Sequence, residues 1–302
     1  MNFGTMQFDG DRRIDFDRMR KYREDRIQKA MAATDVDALL LFDANNIRYA
    51  TSCSIGEWSR DKFCRYTLVP RGARPIHFEF GSAAPVKKVM SPWIADRVYP
   101  AISWMRGAVP REAGFQENFT KQLSSILKEQ GLTGGRIGID IMDATLMQIF
   151  QQQGLTICDG QDIMLEARLI KCEDEIHCLE GAASMVDAAY GVVVRNLRAG
   201  IRENELVALV NECLYRLGSD QVESMNCISG PRTSPHPHNF SDRIIRPGEG
   251  VFIDIMHSWN GYRTCYYRTF HVGKASQAMH DAYKRAYDWM YASIDQVRPG
   301  KT

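Results

Sequence analysis

The chain has 302 residues, of which 44% are hydrophobic and 25% are charged, and its formal net charge is +1. This length is enough for two domains, and the near-neutral charge gives no global field that would draw the protein to nucleic acid or to an anionic membrane. We find no apolar run of about 18 residues, as a transmembrane helix requires, and no signal-peptide core in residues 1–20. The eight cysteines form no CxxC pair, so we expect reduced thiols in a cytoplasmic protein.

Strand patterns alternate with helical patterns in the first half of the chain. Helices are predicted where apolar residues recur every three to four positions, and strands where short apolar runs are bounded by turn residues. The polar residues 43–46 predict a turn after the first strand. The alternation predicts a mixed α/β domain over residues 1–165. The predicted elements are a helix over 17–33, strands over 36–42, 64–69 and 75–80, a helix over 115–130, a strand over 136–141, a helix over 144–152 and a strand over 155–158.

The second half has a different organisation. Two long helical patterns come first, and the sheet follows them. A helix–helix–strand–hairpin–helix order predicts an α+β domain over residues 166–302, with helices on one face of an antiparallel sheet. The predicted elements are helices over 173–197 and 203–217, a strand over 222–229, a hairpin over 251–272 and a helix over 275–297.

The hairpin, VFIDIMHSWNGYRTCYYRTFHV, is the most informative segment. Its Asn260-Gly261 pair is a strong turn signal, because both turn residues must tolerate a positive φ. The turn predicts that Asp254 lies opposite Tyr267. Cys265 then lies diagonal to Asp254, with the two backbones about 7–8 Å apart. Two acidic groups at such positions could share metal ions, but here one group is a carboxylate and the other is a thiol.

Two readings are open for each of these side chains. Asp254 lies in an otherwise apolar strand, where a carboxylate must be paired or bound to something. It is either a metal ligand or general base, or the partner of a salt bridge to Arg263 or Arg268. Cys265 is either a small core residue or a thiolate ligand or nucleophile.

The loop over residues 229–243, SGPRTSPHPHNFSDR, carries two histidines between prolines. A rigid polar loop is a suitable place from which to aim His236 or His238 at a ligand, and histidine suits proton transfer near neutral pH. The alternative is an exposed loop whose histidines have no role. Trp58 and Arg60 lie in a glycine-containing loop and are candidate pocket residues, and Arg268 is a third candidate substrate contact.

Together these segments resemble the creatinase/aminopeptidase P family, whose catalytic domain has the pita-bread fold. The segments at 42–51 and 229–233 especially resemble the branch that contains dimethylsulfoniopropionate lyases. The resemblance implies an α/β N-terminal domain followed by an α+β pita-bread domain. The matching segments are LLLFDANNIRYAT at 39–51, RLIKCEDEI at 168–176, SGP at 229–231, PG at 247–248, Asp254, GYRTCYYRTF at 261–270 and VRPG at 297–300.

The resemblance also assigns roles to the candidate residues. Asp254 matches the first metal-ligand aspartate of the family's peptidases, and Cys265 stands where those peptidases have a bridging aspartate. A divalent metal, Zn or Mn, is therefore one expectation, and a metal-free site like that of creatinase is the other. The family's substrate-binding, proton-shuttling loop histidine corresponds to His236 or His238.

The family's further ligands, a histidine and two glutamates, lie in a later stretch that this chain does not include. The resemblance therefore implies a C-terminally incomplete pita-bread domain, and a chain that is inactive alone. For the full-length parent we expect a hydrolase that cleaves a C–N bond in a dipeptide or small metabolite. The alternatives are a dimethylsulfoniopropionate-type lyase and a non-catalytic binding module. The resemblance further implies a homodimer in which residues near Trp58 reach the neighbour's pocket. From the near-neutral charge and the lack of a long apolar run we expect no nucleic-acid or membrane partner.

Overall fold

The computed structural model describes residues 13–55, 61–104, 109–152 and 154–301. The chain divides into two compact units, an N-terminal unit over Met6–Cys178 and a C-terminal unit over Leu179–Thr302. The predicted domain boundary at residues 165 and 166 stays a prediction. No helix in the described part is both long and apolar enough to cross a membrane.

The N-terminal unit contains a six-stranded mixed sheet in the order β4-β3-β2-β1-β5-β6. Its central strand β1 pairs antiparallel with β2 and parallel with β5, and the pairs β3–β4 and β5–β6 are also parallel. Mixed pairing of this kind fits the predicted α/β domain. The strands are β1 (Ala38–Leu41), β2 (Tyr66–Pro70), β3 (Ile76–Glu79), β4 (Val98–Pro100), β5 (Arg136–Ile139) and β6 (Thr156–Asp159).

Helices cover both faces of this sheet. Alternate residues of β1 point to opposite faces, and Leu40 packs in a cluster with Phe119 while Leu39 packs in another with Met31. Burial on both faces explains why β1 is apolar at every position. The helices are α1 (Phe16–Ala32), α2 (Ala44–Thr51), α3 (Ala84–Met90), α4 (Phe115–Glu129), α5 (Ala144–Gln152) and α6 (Gln161–Leu169).

The polar turn predicted over residues 43–46 is wrong, because α2 begins at Ala44. The Asp43 carboxylate caps this helix by accepting a hydrogen bond from the Asn45 backbone. The buried Asn46 amide donates to Asp140 at 2.8 Å and to Gln161 at 2.9 Å. These partners lie far along the chain, so the local sequence did not reveal the helix.

A buried ionic cluster lies between β2 and β3. Glu79 forms ion pairs with Arg65 at 2.8 Å and Lys87 at 3.3 Å, and its Oε2 lies within hydrogen-bond distance of the His77 ring, at 3.4 Å. Burial lowers the pKa of His77, which is fully enclosed. Burial raises the pKa of Glu79, but the hydrogen bonds and charges of His77 and Arg65 outweigh that effect and hold it well below its usual range.

The C-terminal unit contains the three-stranded antiparallel sheet β7-β8-β9. The predicted hairpin register is confirmed, with Asp254 opposite Tyr267 and Trp259 opposite Tyr262. The pita-bread and α/β fold class is confirmed as well. The elements are α7 (Glu173–Asn196), α8 (Glu203–Arg216), β7 (Gln221–Ser229), β8 (Gly250–Trp259), β9 (Tyr262–His271) and α9 (Gln277–Ile294).

One face of this sheet packs against helices and the other carries the candidate site. Val251, Ile253 and Ile255 of β8 form a core with apolar residues of α7 and α8. Helix and sheet approach closely at Gly181, where an added Cβ would lie 2.2 Å from the Trp259 ring. Alternation places Phe252, Asp254 and Met256 on the other side, with Asn226, Cys265 and Tyr267 beside them. We call this side, with these six residues, the Asp254 face.

Candidate functional site

Asp254 is a buried carboxylate at the centre of the Asp254 face. It is 4% exposed. Its Oδ2 accepts a hydrogen bond from the Asn226 amide at 3.0 Å, and its Oδ1 accepts one from the Cys265 thiol at 3.3 Å. None of the ion pairs between described residues includes Asp254. The salt-bridge alternative is wrong for this part of the chain, because Arg263 pairs with Glu223 and Arg268 lies over aromatic rings.

Cys265 is the exposed member of the eight cysteines, all of which lie in the described part. The core-residue alternative is therefore wrong. Partial burial and the neighbouring Asp254 carboxylate raise the pKa of the Cys265 thiol, while the Tyr267 hydroxyl has the opposite, smaller effect. At neutral pH the thiol is therefore a proton donor to the carboxylate and not a thiolate.

A row of four rings leads from the loop to the Asp254 face. The His238 and His236 rings lie 4.6 Å apart, and the His236 ring lies 5.4 Å from the Phe252 ring. Phe252 stacks on Tyr267 at 5.3 Å, and Tyr267 is the residue opposite Asp254. The structure thus brings His236 to this face directly, whereas His238 contacts it through His236.

Arg268, a further predicted substrate contact, is not brought to this site. Arg268 pairs with Ile253 in the ladder, and its guanidinium lies 4.8 Å from the Tyr266 ring and 5.5 Å from the Tyr190 ring. It therefore extends from the helix-packed side of the sheet, opposite Asp254. Trp58 and Arg60 lie outside the described residues.

Sequence reasoning missed Glu203, the first residue of α8, which is completely buried. Its Oε1 accepts from the backbone N–H and hydroxyl of Ser229 at 2.8 and 2.7 Å. Its Oε2 accepts from the backbone N–H and hydroxyl of Ser241 at 3.0 and 2.7 Å, and it forms an ion pair with Arg232. All three partners belong to the loop over residues 229–243. A carboxylate in the first turn of a helix is common, so the sequence alone gave no signal for this role.

The described residues do not by themselves make a divalent-metal site. They contain no group of three or more His, Cys, Asp or Glu side chains placed to hold an ion. Asp254 and Cys265 supply two donors, whereas a catalytic zinc site takes three protein ligands. A thiol ligand would bind as the thiolate, and an ion would displace the proton that Cys265 donates to Asp254.

Comparisons with known proteins agree on one family. The model of Peptidase_M24, metallopeptidase family M24, matches residues 177–302. Dimethylsulfoniopropionate lyase DddP of Roseovarius nubinhibens is 22% identical over 308 residues, covering 95% of this chain and 66% of the relative. The Xaa-Pro dipeptidase of Pyrococcus furiosus is 27% identical over 142 residues, covering 47% of this chain and 41% of the relative. The chain thus spans two thirds or less of the length of these relatives.

Solved structures show the same fold. The prolidase from Thermococcus sibiricus superposes with a TM-score of 0.73 at 19% identity, covering 94% of this chain and 72% of the other. The prolidase from Pyrococcus horikoshii gives a TM-score of 0.71 at 19% identity, covering 92% and 73%. Taken with the register of the hairpin and the position of Asp254, these matches confirm the resemblance noted in the sequence. The comparisons therefore support a creatinase/aminopeptidase P-like family for this chain.

Proposed function

We propose that the whole protein, of which this chain carries the Asp254 face, is a hydrolase of the Xaa-Pro peptidase or creatinase type, which cleaves a C–N bond in a dipeptide or small metabolite. The observation that carries the proposal is Asp254 itself, a buried carboxylate with no cationic partner among the described residues. Burying such a charge costs several kcal/mol. A fold keeps a destabilising group of this kind when function needs it.

Each side chain has a role in the proposed reaction. Breaking a C–N bond by hydrolysis requires water to attack the carbon and the leaving nitrogen to gain a proton. Asp254 orients the substrate or the attacking water, since both of its oxygens are acceptors. His236 or His238 carries the proton, and the contact of His236 with Phe252 favours His236.

The assignment of Asp254 and Cys265 as metal ligands stays a prediction. Related proteins belong to a metallopeptidase family, but these two side chains would need further ligands to hold an ion. Metal analysis of the purified protein distinguishes a metal-dependent hydrolase from a metal-free, creatinase-like one. A stoichiometric ion would contradict the metal-free, creatinase-like version.

A second candidate is a lyase of the dimethylsulfoniopropionate type. Two DddP relatives align over 95% and 80% of this chain, whereas the probable dipeptidase PepE and the Xaa-Pro dipeptidase align over 47%. The rings of Phe252 and Tyr267 beside the Asp254 carboxylate also suit a sulfonium cation, because aromatic faces attract cations. In this reaction a side chain of the Asp254 face would abstract a proton and a sulfide would leave.

One panel of assays tests both candidates. The purified protein is incubated with Xaa-Pro dipeptides, creatine and dimethylsulfoniopropionate. The assays measure the release of free proline, the loss of creatine and the release of volatile sulfide. Under the proposal a C–N substrate is cleaved, and Asp254→Asn abolishes the activity. The matched control is Asp187→Asn, because Asp187 accepts a hydrogen bond from Tyr266 on the opposite side of the sheet. Sulfide release alone would favour the lyase, and no turnover by the whole protein in any assay would favour a non-catalytic binding module.

A further inference from the structure

The loop over residues 229–243, which carries both candidate histidines, is hydrogen-bonded to α8 near each of its ends. Ser229 begins the loop and Ser241 lies near its end, and both donate their backbone N–H and their hydroxyl to Glu203. The backbone adds to this hydrogen bonding, because the N–H of Glu203 donates to the carbonyl of Arg243 at 3.0 Å. A single buried carboxylate therefore joins two parts of the loop that are twelve residues apart in the sequence.

A second set of contacts leads from this carboxylate to the histidines. Arg232 forms an ion pair with Glu203 and donates to the Asn239 side chain at 3.0 Å. Asn239 directly follows His238, and its carbonyl accepts from the Cys227 backbone of β7 at 3.2 Å. The histidine segment is thus held between Glu203 and the sheet.

We propose that Glu203 is a positioning residue, whose charge holds the loop so that the His236 ring lies on Phe252 beside Asp254. The catalytic consequence rests on the proposed function, but the placing of the ring does not. Both oxygens of Glu203 face donors only. A glutamine at this position would have to turn its NH₂ group toward the backbone N–H of either Ser229 or Ser241, and donor would then face donor.

The test measures ring contacts and does not depend on turnover. In protein labelled with ¹³C at histidine and phenylalanine, an NOE should join the His236 and Phe252 rings, whose centroids are 5.4 Å apart; His236→Ala identifies the signal. We expect Glu203→Gln to abolish this NOE. The matched control is Glu205→Gln, which should keep it, because among the described residues Glu205 accepts from the Arg202 backbone alone, at the start of the same helix.

A milder variant covers the case in which Glu203→Gln does not fold. Ser241→Ala removes one hydroxyl donor but keeps the backbone N–H bond, and it should weaken the NOE. An NOE of unchanged intensity in folded Glu203→Gln overturns the proposal, as does an unchanged NOE in Ser241→Ala if the first variant is unfolded. If the protein turns over a substrate, kcat of Glu203→Gln should fall while KM holds. If it turns over none, the NOE comparison still decides the role of Glu203. Failure of the proposed function is thus distinguishable from failure of the Glu203 proposal.

Discussion

The stability and activity of Asp254→Asn show whether the Asp254 carboxylate serves function or stabilises the fold. The substitution keeps the size and shape of the side chain and removes its charge. The carboxylate is 4% exposed and accepts one amide and one thiol hydrogen bond, at 3.0 and 3.3 Å. A hydrogen bond to a charged group contributes about 1.5–3 kcal/mol, and a thiol is a weak donor. Burying an ion costs several kcal/mol, so the two contributions nearly cancel.

The Asn226 amide can turn its Oδ1, which has no hydrogen-bond partner among the described residues, to accept from the new NH₂ group. We therefore expect Asp254→Asn to change the free energy of unfolding by less than about 1 kcal/mol, with any change toward greater stability. Urea unfolding at pH 7, followed by circular dichroism, measures this quantity, and the substrate panel measures activity in the same preparation. Asp187→Asn is the control for loss of a carboxylate from this unit. A loss of more than about 3 kcal/mol would show that the carboxylate stabilises the fold, and our reasoning about its retention would fail.

Three further predictions concern the fold and the thiol. Gly181→Ala should destabilise the protein by about 1–3 kcal/mol in thermal unfolding because its methyl group would collide with Trp259, although alanine usually favours a helix; Trp259→Leu in the same chain should recover part of the loss. Folding lowers the pKa values of His77 and Glu79, so stability should decrease as the pH falls below 6.5 for the His77 effect and below 4.5 for the Glu79 effect. His77→Gln should flatten the upper part of that decrease and leave the lower part in place. Alkylation of Cys265 by iodoacetamide at pH 7 should be slow and should be faster in Asp254→Asn, since the Asp254 carboxylate raises the pKa of the thiol. Equal alkylation rates in the two proteins would contradict the hydrogen bond between Cys265 and Asp254.

The elements that the sequence predicted correctly are those with strong local signals. The turn at Asn260-Gly261 fixed the register of the hairpin, because a two-residue turn leaves one alignment of the strands. The long apolar stripe of α7 was equally clear. By contrast, α2 depends on Asp140 and Gln161, which are about a hundred residues away, and short elements such as α3 and β4 carry no periodic pattern.

The candidate site was predictable to the extent that strand geometry defines it. The neighbouring positions of Asp254 and Cys265 followed from the register alone. The same alternation shows that Arg268, three residues after Cys265, extends from the opposite side, so its expected substrate contact could have been questioned from the sequence. The role of Glu203 could not have been foreseen, because its partners lie in a loop whose path no local pattern specifies.

Two expectations about the protein in solution stay predictions. Homodimer formation follows from the family resemblance, and light scattering coupled to size-exclusion chromatography would measure the mass of the particle. A mass equal to the 34.4 kDa of one chain would contradict the dimer. The expected cytoplasmic location likewise awaits a fractionation experiment.

The central claim is that Asp254 and a loop histidine act together on one substrate. The most direct measurement compares the rate of proline release from Xaa-Pro dipeptides by the unaltered protein with the rates of His236→Ala, His238→Ala and Asp254→Asn. We expect turnover by the unaltered whole protein, its loss in Asp254→Asn, and a larger loss in His236→Ala than in His238→Ala. Turnover that survives unchanged in Asp254→Asn, or equal and unaltered rates in both histidine variants, would contradict the claim.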